Sequence, residues 1–305
     1  MSRRETHDRP LVLVTGATGK TGVPVAQEML ESGYPVRALV HRNDERSERL
    51  QALGAEVVQG DFLDLASVRS AMAGVERVYF CYPPAAGLLE AATNMAVAAR
   101  AEGVEALVNM SQITAREGAG SPLARQHWLS ERILDWAGIG ASHVNPTFFA
   151  ENLYLLTGDS IATEGKMYLP FGEGRHAPVA AGDIARVVAG ILKDPEPHAG
   201  ARYVVTGPKT MTVAEMAEVL SEELGKAVEY VNLPLEPWRR ALAGRAGFSE
   251  FLAEHLLHVA KDHRDGVFNV QTDVVERLGG GEPQSLRQFV RENRTKFLAG
   301  TPEGA

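Results

Sequence analysis

The segment Thr15-Gly16-Ala17-Thr18-Gly19-Lys20-Thr21-Gly22 carries glycines at every third position. Where such a run opens a helix, it presents free backbone N–H groups, and the positive end of the helix dipole adds attraction for an anion. The chemistry it suits is the cradling of a phosphate or pyrophosphate. Gly16 permits a tight turn, Gly19 removes a Cβ that would hold phosphate off the backbone, and Gly22 lets the helix lie close to the strand before it. Thr18, Lys20 and Thr21 complete the turn as candidate contacts. Gly19-Lys20-Thr21 also ends like a P-loop, but that motif needs a glycine where Val14 stands, so ATP binding of that kind is excluded.

Further residues fall where such a turn would place a dinucleotide. His41 and Arg42 stand where a carboxylate would read the ribose hydroxyls of NAD. A guanidinium there favours NADP(H), because it can pair bidentately with a 2′-phosphate. A solvated charge on a loop running into Asp44-Glu45-Arg46 is the competing account. Asp61 in Gly60-Asp61-Phe62 can accept from an adenine amino group with Phe62 beside the ring, or can serve as an ordinary turn residue. Cys81-Tyr82-Pro83-Pro84 should flank the cofactor, with Cys81 read as small and buried rather than reactive.

The elements that must position these residues follow from the apolar pattern. Leu11–Val14 reads as a buried strand, and Val23–Ser32 as a one-faced helix closing at Gly33. The beat repeats: strands at 36–40, 56–59, 77–82 and 106–110 alternate with helices at 45–53, 66–73 and 88–102. Strand and helix alternation with short connections specifies an α/β fold, a Rossmann-type doubly wound parallel sheet with right-handed crossovers. The expected dinucleotide-binding domain spans residues 10–150. Past residue 150 the rhythm loosens, although helices at 183–192 and 213–224 stay clear, so residues 151–305 are expected to form a smaller, partly interleaved α/β domain.

Size and charge narrow the classes. A chain of 305 residues with net charge −8 lacks the basic balance of a nucleic-acid binder. One cysteine permits no internal disulfide, and the start lacks a secretory h-region, which together imply a cytoplasmic setting. No apolar stretch approaches the roughly 18 residues of a membrane span, and neither a flavin signature nor a metal cluster is evident. The polar head, Ser2 to Arg9, reads as a disordered tail.

These residues together resemble the NmrA-like branch of the atypical short-chain dehydrogenases/reductases. The likeness is carried by the glycine turn, Gly60-Asp61, Asn109-Met110-Ser111, Ser130-Glu131-Arg132 leading to Ala137-Gly138, Pro146 to Asn152, Gly182 to Ala185, Thr206-Gly207-Pro208 and Phe289 to Asn293. The resemblance implies a cleft between a Rossmann domain and a smaller domain. Typical relatives in that superfamily use a Tyr-x-x-x-Lys pair. Counting back from Glu131 and Gly138 puts Leu123 and His127 at those two positions, so the acid/base tyrosine is expected to be absent. His127, heading His-x-x-x-Glu, would hydrogen-bond the ribose or protonate a reduced quinone, unless it is a packing histidine. Ser111 would orient substrate or act as a cap. Pro146, Thr147, Phe148 and Phe149 would pass beside the nicotinamide, and Tyr82, Phe149 and Tyr154 would line the place of a flat substrate.

Two functions fit these expectations. The first is direct hydride transfer from NADPH to a quinone-like or other planar small molecule, with His127, Ser111 and Tyr82 as candidate catalytic residues. The second is a non-catalytic NADP(H) redox sensor acting on a protein partner, with the stretch from Trp238 to Val259 as a candidate surface. A homo-oligomer is compatible with either. A nucleotide-sugar epimerase is disfavoured by the missing tyrosine.

Overall fold

The computed structural model describes residues 9–299. Most of the polar head lies outside the described residues, but Arg9 is pinned: it donates to the Ser32 carbonyl and its guanidinium lies 4.9 Å from the centre of the Tyr34 ring.

The first half alternates strand and helix: β1 (Val12–Val14), α1 (Gly22–Glu31), β2 (Val36–Val40), α2 (Glu45–Ala52), β3 (Glu56–Gln59), α3 (Leu65–Met72), β4 (Arg77–Phe80), α4 (Leu88–Glu102), β5 (Ala106–Met110), α5 (Pro122–Trp136) and β6 (Ser142–Pro146). The second half runs α6 (Glu151–Glu164), β7 (Lys166–Leu169), β8 (Arg175–His176), α7 (Ala181–Lys193), β9 (Arg202–Val205), β10 (Met211–Thr212), α8 (Val213–Leu224) and β11 (Glu229–Asn232). It closes with α9 (Leu235–Ala243), α10 (Glu250–Arg264), α11 (Val274–Gly279), α12 (Leu286–Glu292) and α13 (Arg294–Leu298).

Seven strands form one parallel sheet in the order β3-β2-β1-β4-β5-β6-β9. Its central strands are buried on both faces, which is why they read as unbroken apolar runs rather than as alternation. One face packs on α1, α7 and α11, with Val25, Met29, Val188 and Val275 buried there. The other packs on α3, α4 and α5 through Val68, Met95 and Leu134. A third cluster, around Phe171, Met216, Leu220 and Phe289, is the core of a second lobe built on the pairings β7 with β11 and β8 with β10.

The interleaving is deeper than a boundary at residue 150 conveys. β9, α7 and α11 all come from the second half of the chain yet complete the first lobe. β4 also ends earlier than its apolar run. The Cys81 N–H leaves the ladder and donates to Thr15 Oγ1 at 2.8 Å.

Strand order reverses between β1 and β4. Ligands of open parallel sheets bind at the carboxyl ends of the strands at that point. The glycine turn leaves β1 there and Cys81 leaves β4 beside it.

Candidate active site

The glycine turn is held from below. Tyr79 donates to Thr21 Oγ1 at 2.8 Å, and Cys81 Sγ lies 3.8 Å from the same oxygen. Thr21 is thereby occupied and does not cap α1, whose first turn carries no acidic residue either. Among the described residues the N–H groups of Thr18, Lys20 and Thr21 find no acceptor. An uncapped helix start with unused donors fits a pyrophosphate.

The glycines divide the work differently from expectation. Gly16 takes φ +56°, and a Cβ on it would lie 2.9 Å from the Cys81 carbonyl, so Gly16 is the residue that lets the turn meet the neighbouring strand. A Cβ on Gly22 would fall 2.1 Å from the Gly16 carbonyl, so its smallness folds the turn back on itself rather than setting helix against strand. Gly19 is exposed, and a Cβ there would meet only the Gly16 carbonyl, at 3.0 Å.

Arg42 is exposed at the end of β2 and makes no hydrogen bond or ion pair among the described residues, while Asp44 is taken up by capping α2 and pairing Arg46. Arg42 is therefore the available cation at the ribose end. Asp61 spends one carboxylate oxygen on the Leu63 N–H at 2.9 Å, the turn role, and keeps the other. Phe62 packs edge-on against Phe80 and Tyr82, at 6.2 and 5.7 Å between ring centres. Tyr82 donates to the Ala86 carbonyl at 2.9 Å, and burial together with Asp61 and Glu90 raises its pKa, so its hydroxyl is committed to the loop. Pro83 is exposed beside it. Burial pushes the Cys81 thiol up, leaving it un-ionised and inert.

Ser111 does not face the cleft as a free hydroxyl. It donates to Glu131 Oε1 at 2.6 Å, and Asn145 Nδ2 donates to the same oxygen at 2.8 Å. Arg202 of β9 and Arg132 reach the other oxygen at 3.1 and 3.3 Å. Glu131 is only 2% exposed, and this buried network ties α5, β5, β6 and β9 together. In the sequence Glu131 stands out only as the end of the His-x-x-x-Glu pattern.

Leu123 and His127 both lie on α5, and both are buried. Burial lowers the His127 pKa to about 4, partly opposed by Glu131, so at neutral pH the ring is uncharged. A neutral ring favours the hydrogen-bonding role expected of His127 over that of an imidazolium acid. Its Nδ1 is sealed from solvent without a partner. Gln112 Nε2 and Asn145 Oδ1, at the ends of β5 and β6, are likewise buried and unmatched, a set of polar atoms suited to a polar ligand or ordered water.

The segment after β6 splits. Pro146 accepts from the Ile113 N–H at 3.1 Å, and Thr147 donates to the Ala177 carbonyl at 2.7 Å. Phe149 packs toward the sheet core, whereas Phe148 turns into the second lobe against Phe171, His176 and His263. Tyr154 stacks on Phe289 at 6.1 Å in the second lobe, whereas Tyr82 packs edge-on against Phe62, and Phe149 lies against the sheet core. Trp238 and Leu242 point into the second lobe's core, so the apolar part of that stretch is packing.

Lys20 and Glu151 form a feature that the sequence did not flag. Burial lowers the Lys20 pKa against the pull of Glu151, and burial raises that of Glu151. Glu151 Oε1 accepts from Ala181 N–H at 3.0 Å, at the start of α7, while Oε2 is sealed and unpartnered. Lys20 and Glu151 bear on each other electrostatically, although no hydrogen bond or ion pair joins them among the described residues.

An open helix start, a glycine turn at the reversal of a doubly wound sheet, and a free arginine at the end of β2 define a dinucleotide-type α/β protein. The chain belongs to the NmrA-like family, whose signature matches residues 8–286. An NAD(P)H azoreductase from Xenophilus azovorans is 30% identical over 295 residues, covering 95% of this chain and 100% of that one. The NADPH complex of quinone oxidoreductase 2 from Escherichia coli superposes with a TM-score of 0.81 at 26% identity, over 92% of this chain and 99% of its own. A Citrobacter triphenylmethane reductase bound to NADP(H) gives 0.79 at 25% identity, with the same two coverages of 92% and 99%. No helix among the described residues is long and apolar enough to cross a membrane.

Proposed function

We propose that this protein is an NADP(H)-dependent oxidoreductase that reduces a quinone-like or other planar acceptor by direct hydride transfer. The observation that carries the reading is the uncapped start of α1, with its unused N–H groups at the sheet's switch point. The azoreductase, quinone reductase and triphenylmethane reductase names of similar proteins support the acceptor class.

The bound dinucleotide supplies the hydride; the chain supplies position and a dry cleft. The turn residues Gly16 to Gly22 hold the pyrophosphate, and Arg42 pairs with the 2′-phosphate. Cys81, Tyr82 and Pro83, with Pro146, Thr147 and Phe149, border the nicotinamide end, Phe148 being turned into the second lobe. His127, neutral, offers a ring nitrogen to a ribose hydroxyl or to an acceptor oxygen. Leu123, one turn before it, fills the place of the usual phenol with an apolar wall. Asp61, with one oxygen spare, can take the adenine amino group.

Arg42→Ala is expected to weaken NADPH binding by about 10- to 100-fold, the loss of a charge-assisted bidentate pair, while NADH binding stays within about twofold. Calorimetric titration of both cofactors checks this. Equal losses for NADPH and NADH would remove Arg42 from the 2′-phosphate site.

The sensor reading is favoured by one observation: the hydroxyls of Ser111 and Tyr82 are both engaged within the protein. Tight NADPH binding with no turnover of any planar acceptor would select it.

A further inference from the structure

Hydrogen-bond direction at the ends of β5 and β6 is dictated by one buried carboxylate. Glu131 is paired through Oε2 by Arg202 Nε at 3.1 Å and by Arg132 Nη2 at 3.3 Å. A guanidinium can only donate, so the pairing holds Glu131 as an acceptor. Its other oxygen, Oε1, takes the Ser111 hydroxyl at 2.6 Å and Asn145 Nδ2 at 2.8 Å. Side chains from the ends of two paired parallel strands thus converge on a single oxygen.

That oxygen has no proton to give, so both groups must donate to it. Ser111 keeps only lone pairs for any other contact. Asn145 is held more firmly still, because Nδ2 also donates to the Gln112 carbonyl at 3.2 Å. Turning the amide over would set Oδ1 against two acceptors, so its orientation is fixed and both of its N–H bonds are spent. Oδ1, the other end of the planar amide, is buried without a partner in a residue only 8% exposed. A buried acceptor left empty carries its full desolvation penalty, which a ligand donor would relieve. The end of β6 is therefore built to receive an N–H or O–H group, not a carbonyl.

We propose that Asn145 Oδ1 reads the amino group of the nicotinamide carboxamide, and that Glu131 is the positioning residue that keeps Asn145 an acceptor. The proposal rests on the cofactor part of the reductase reading. Ligands of open parallel sheets lie outside the carboxyl ends of the strands, and β5 and β6 end on the side where the nicotinamide is held. The carboxamide is the planar group of that ring that offers N–H bonds. The same network changes the role of Ser111. With its proton committed to Glu131, the serine cannot orient a substrate carbonyl by donating to it.

Replacing the amino group by a methyl group isolates this contact. Full-length wild-type protein is expected to bind NADP at least about tenfold more tightly than its 3-acetylpyridine analogue, whose methyl ketone leaves Oδ1 unpaired. Glu131→Gln reverses the local polarity. Its amide oxygen is drawn to Arg202 and Arg132, its NH2 meets Ser111 and Asn145, and Asn145 must turn its own oxygen inward. The preference for NADP is then expected to shrink to within about twofold. Asn145→Leu removes the acceptor at similar size and is expected to do the same. Titration calorimetry reads the ratio, and 2′-phospho-ADP-ribose, which lacks the nicotinamide, is expected to bind wild type and variants alike to within about threefold. A purely structural role for Glu131 would weaken all of these ligands together and keep the ratio. Wild-type protein that binds NADP and the analogue equally overturns the proposal, as does a ratio that either variant leaves at the wild-type value. Wild-type protein that binds none of these ligands overturns the dinucleotide reading and the proposal with it.

Discussion

Gly22→Ala is expected to abolish dinucleotide binding, weakening NADPH by more than about 100-fold, or ~3 kcal/mol. A Cβ at this position falls 2.1 Å from the Gly16 carbonyl and 2.7 Å from Ala17 Cα, and all of these are backbone atoms that no rotamer change can move. The turn must open, and the N–H groups of Thr18, Lys20 and Thr21 lose their common aim. Because Gly16 also holds the turn to Cys81, the disturbance reaches β4. Gly118→Ala is the matched control, with neither a positive φ nor any atom within 4 Å of the added carbon, and it is expected to leave NADPH affinity unchanged. Titration with NADPH checks both, and a Gly22→Ala protein that keeps wild-type affinity removes the turn from the cofactor site.

Acid is the second large lever. Four histidines are buried with depressed pKa values: His127 near 4, His255 and His263 near 3, and His176 well below its ordinary value, each chiefly through desolvation. His176 is sealed with neither ring nitrogen partnered, against Phe148 and His263, and His263 is stacked between Phe171 and Phe268 at 4.1 and 3.8 Å. The sign follows from linkage. The unfolded chain binds these protons below its ordinary histidine pKa of 6.5 and the folded chain does not, so stability is complete above that pH and is lost as pH falls toward the folded values. Each such histidine adds a slope of up to about 1.4 kcal/mol per pH unit below pH 6.5, large against a typical total of about 5–15 kcal/mol. Urea unfolding at stepped pH is expected to show this slope. His263→Phe, which keeps the stack between Phe171 and Phe268, should flatten it by about one histidine's share. A flat stability profile from pH 6.5 to 5 contradicts the account.

Much of the first lobe was legible because local rules act there without competition. The strands at Val36–Val40, Glu56–Gln59 and Ala106–Met110 and the helices at Leu88–Glu102 and Val213–Leu224 match their expected bounds. Each is bounded by turn residues and has an apolar period of its own. Where the reading slipped, a long-range partner decided. β4 stops at Phe80 because Thr15, sixty-six residues earlier, takes the Cys81 N–H. Ser111 looked free because nothing local signals that Glu131 will accept its proton.

The packing of α10 was the least legible part. α10 reads as an ordinary amphipathic helix, yet His255 and Asp262 find their partners, Ser121 and Arg116, 134 and 146 positions away. Burial, not composition, makes these histidines and His127 neutral. The Lys20–Glu151 relation likewise arises only when α6 is laid beside the phosphate turn.

The most direct test of the central claim follows the hydride itself. NADPH carrying deuterium at the transferable C4 position would be incubated with the protein and a cationic triphenylmethane dye, and the leuco product analysed by mass spectrometry. Direct transfer predicts a leuco dye bearing one deuterium, formed in step with NADPH oxidation and without added flavin. A leuco dye that takes its hydrogen from solvent, or NADPH that binds but is never oxidised, would contradict the account.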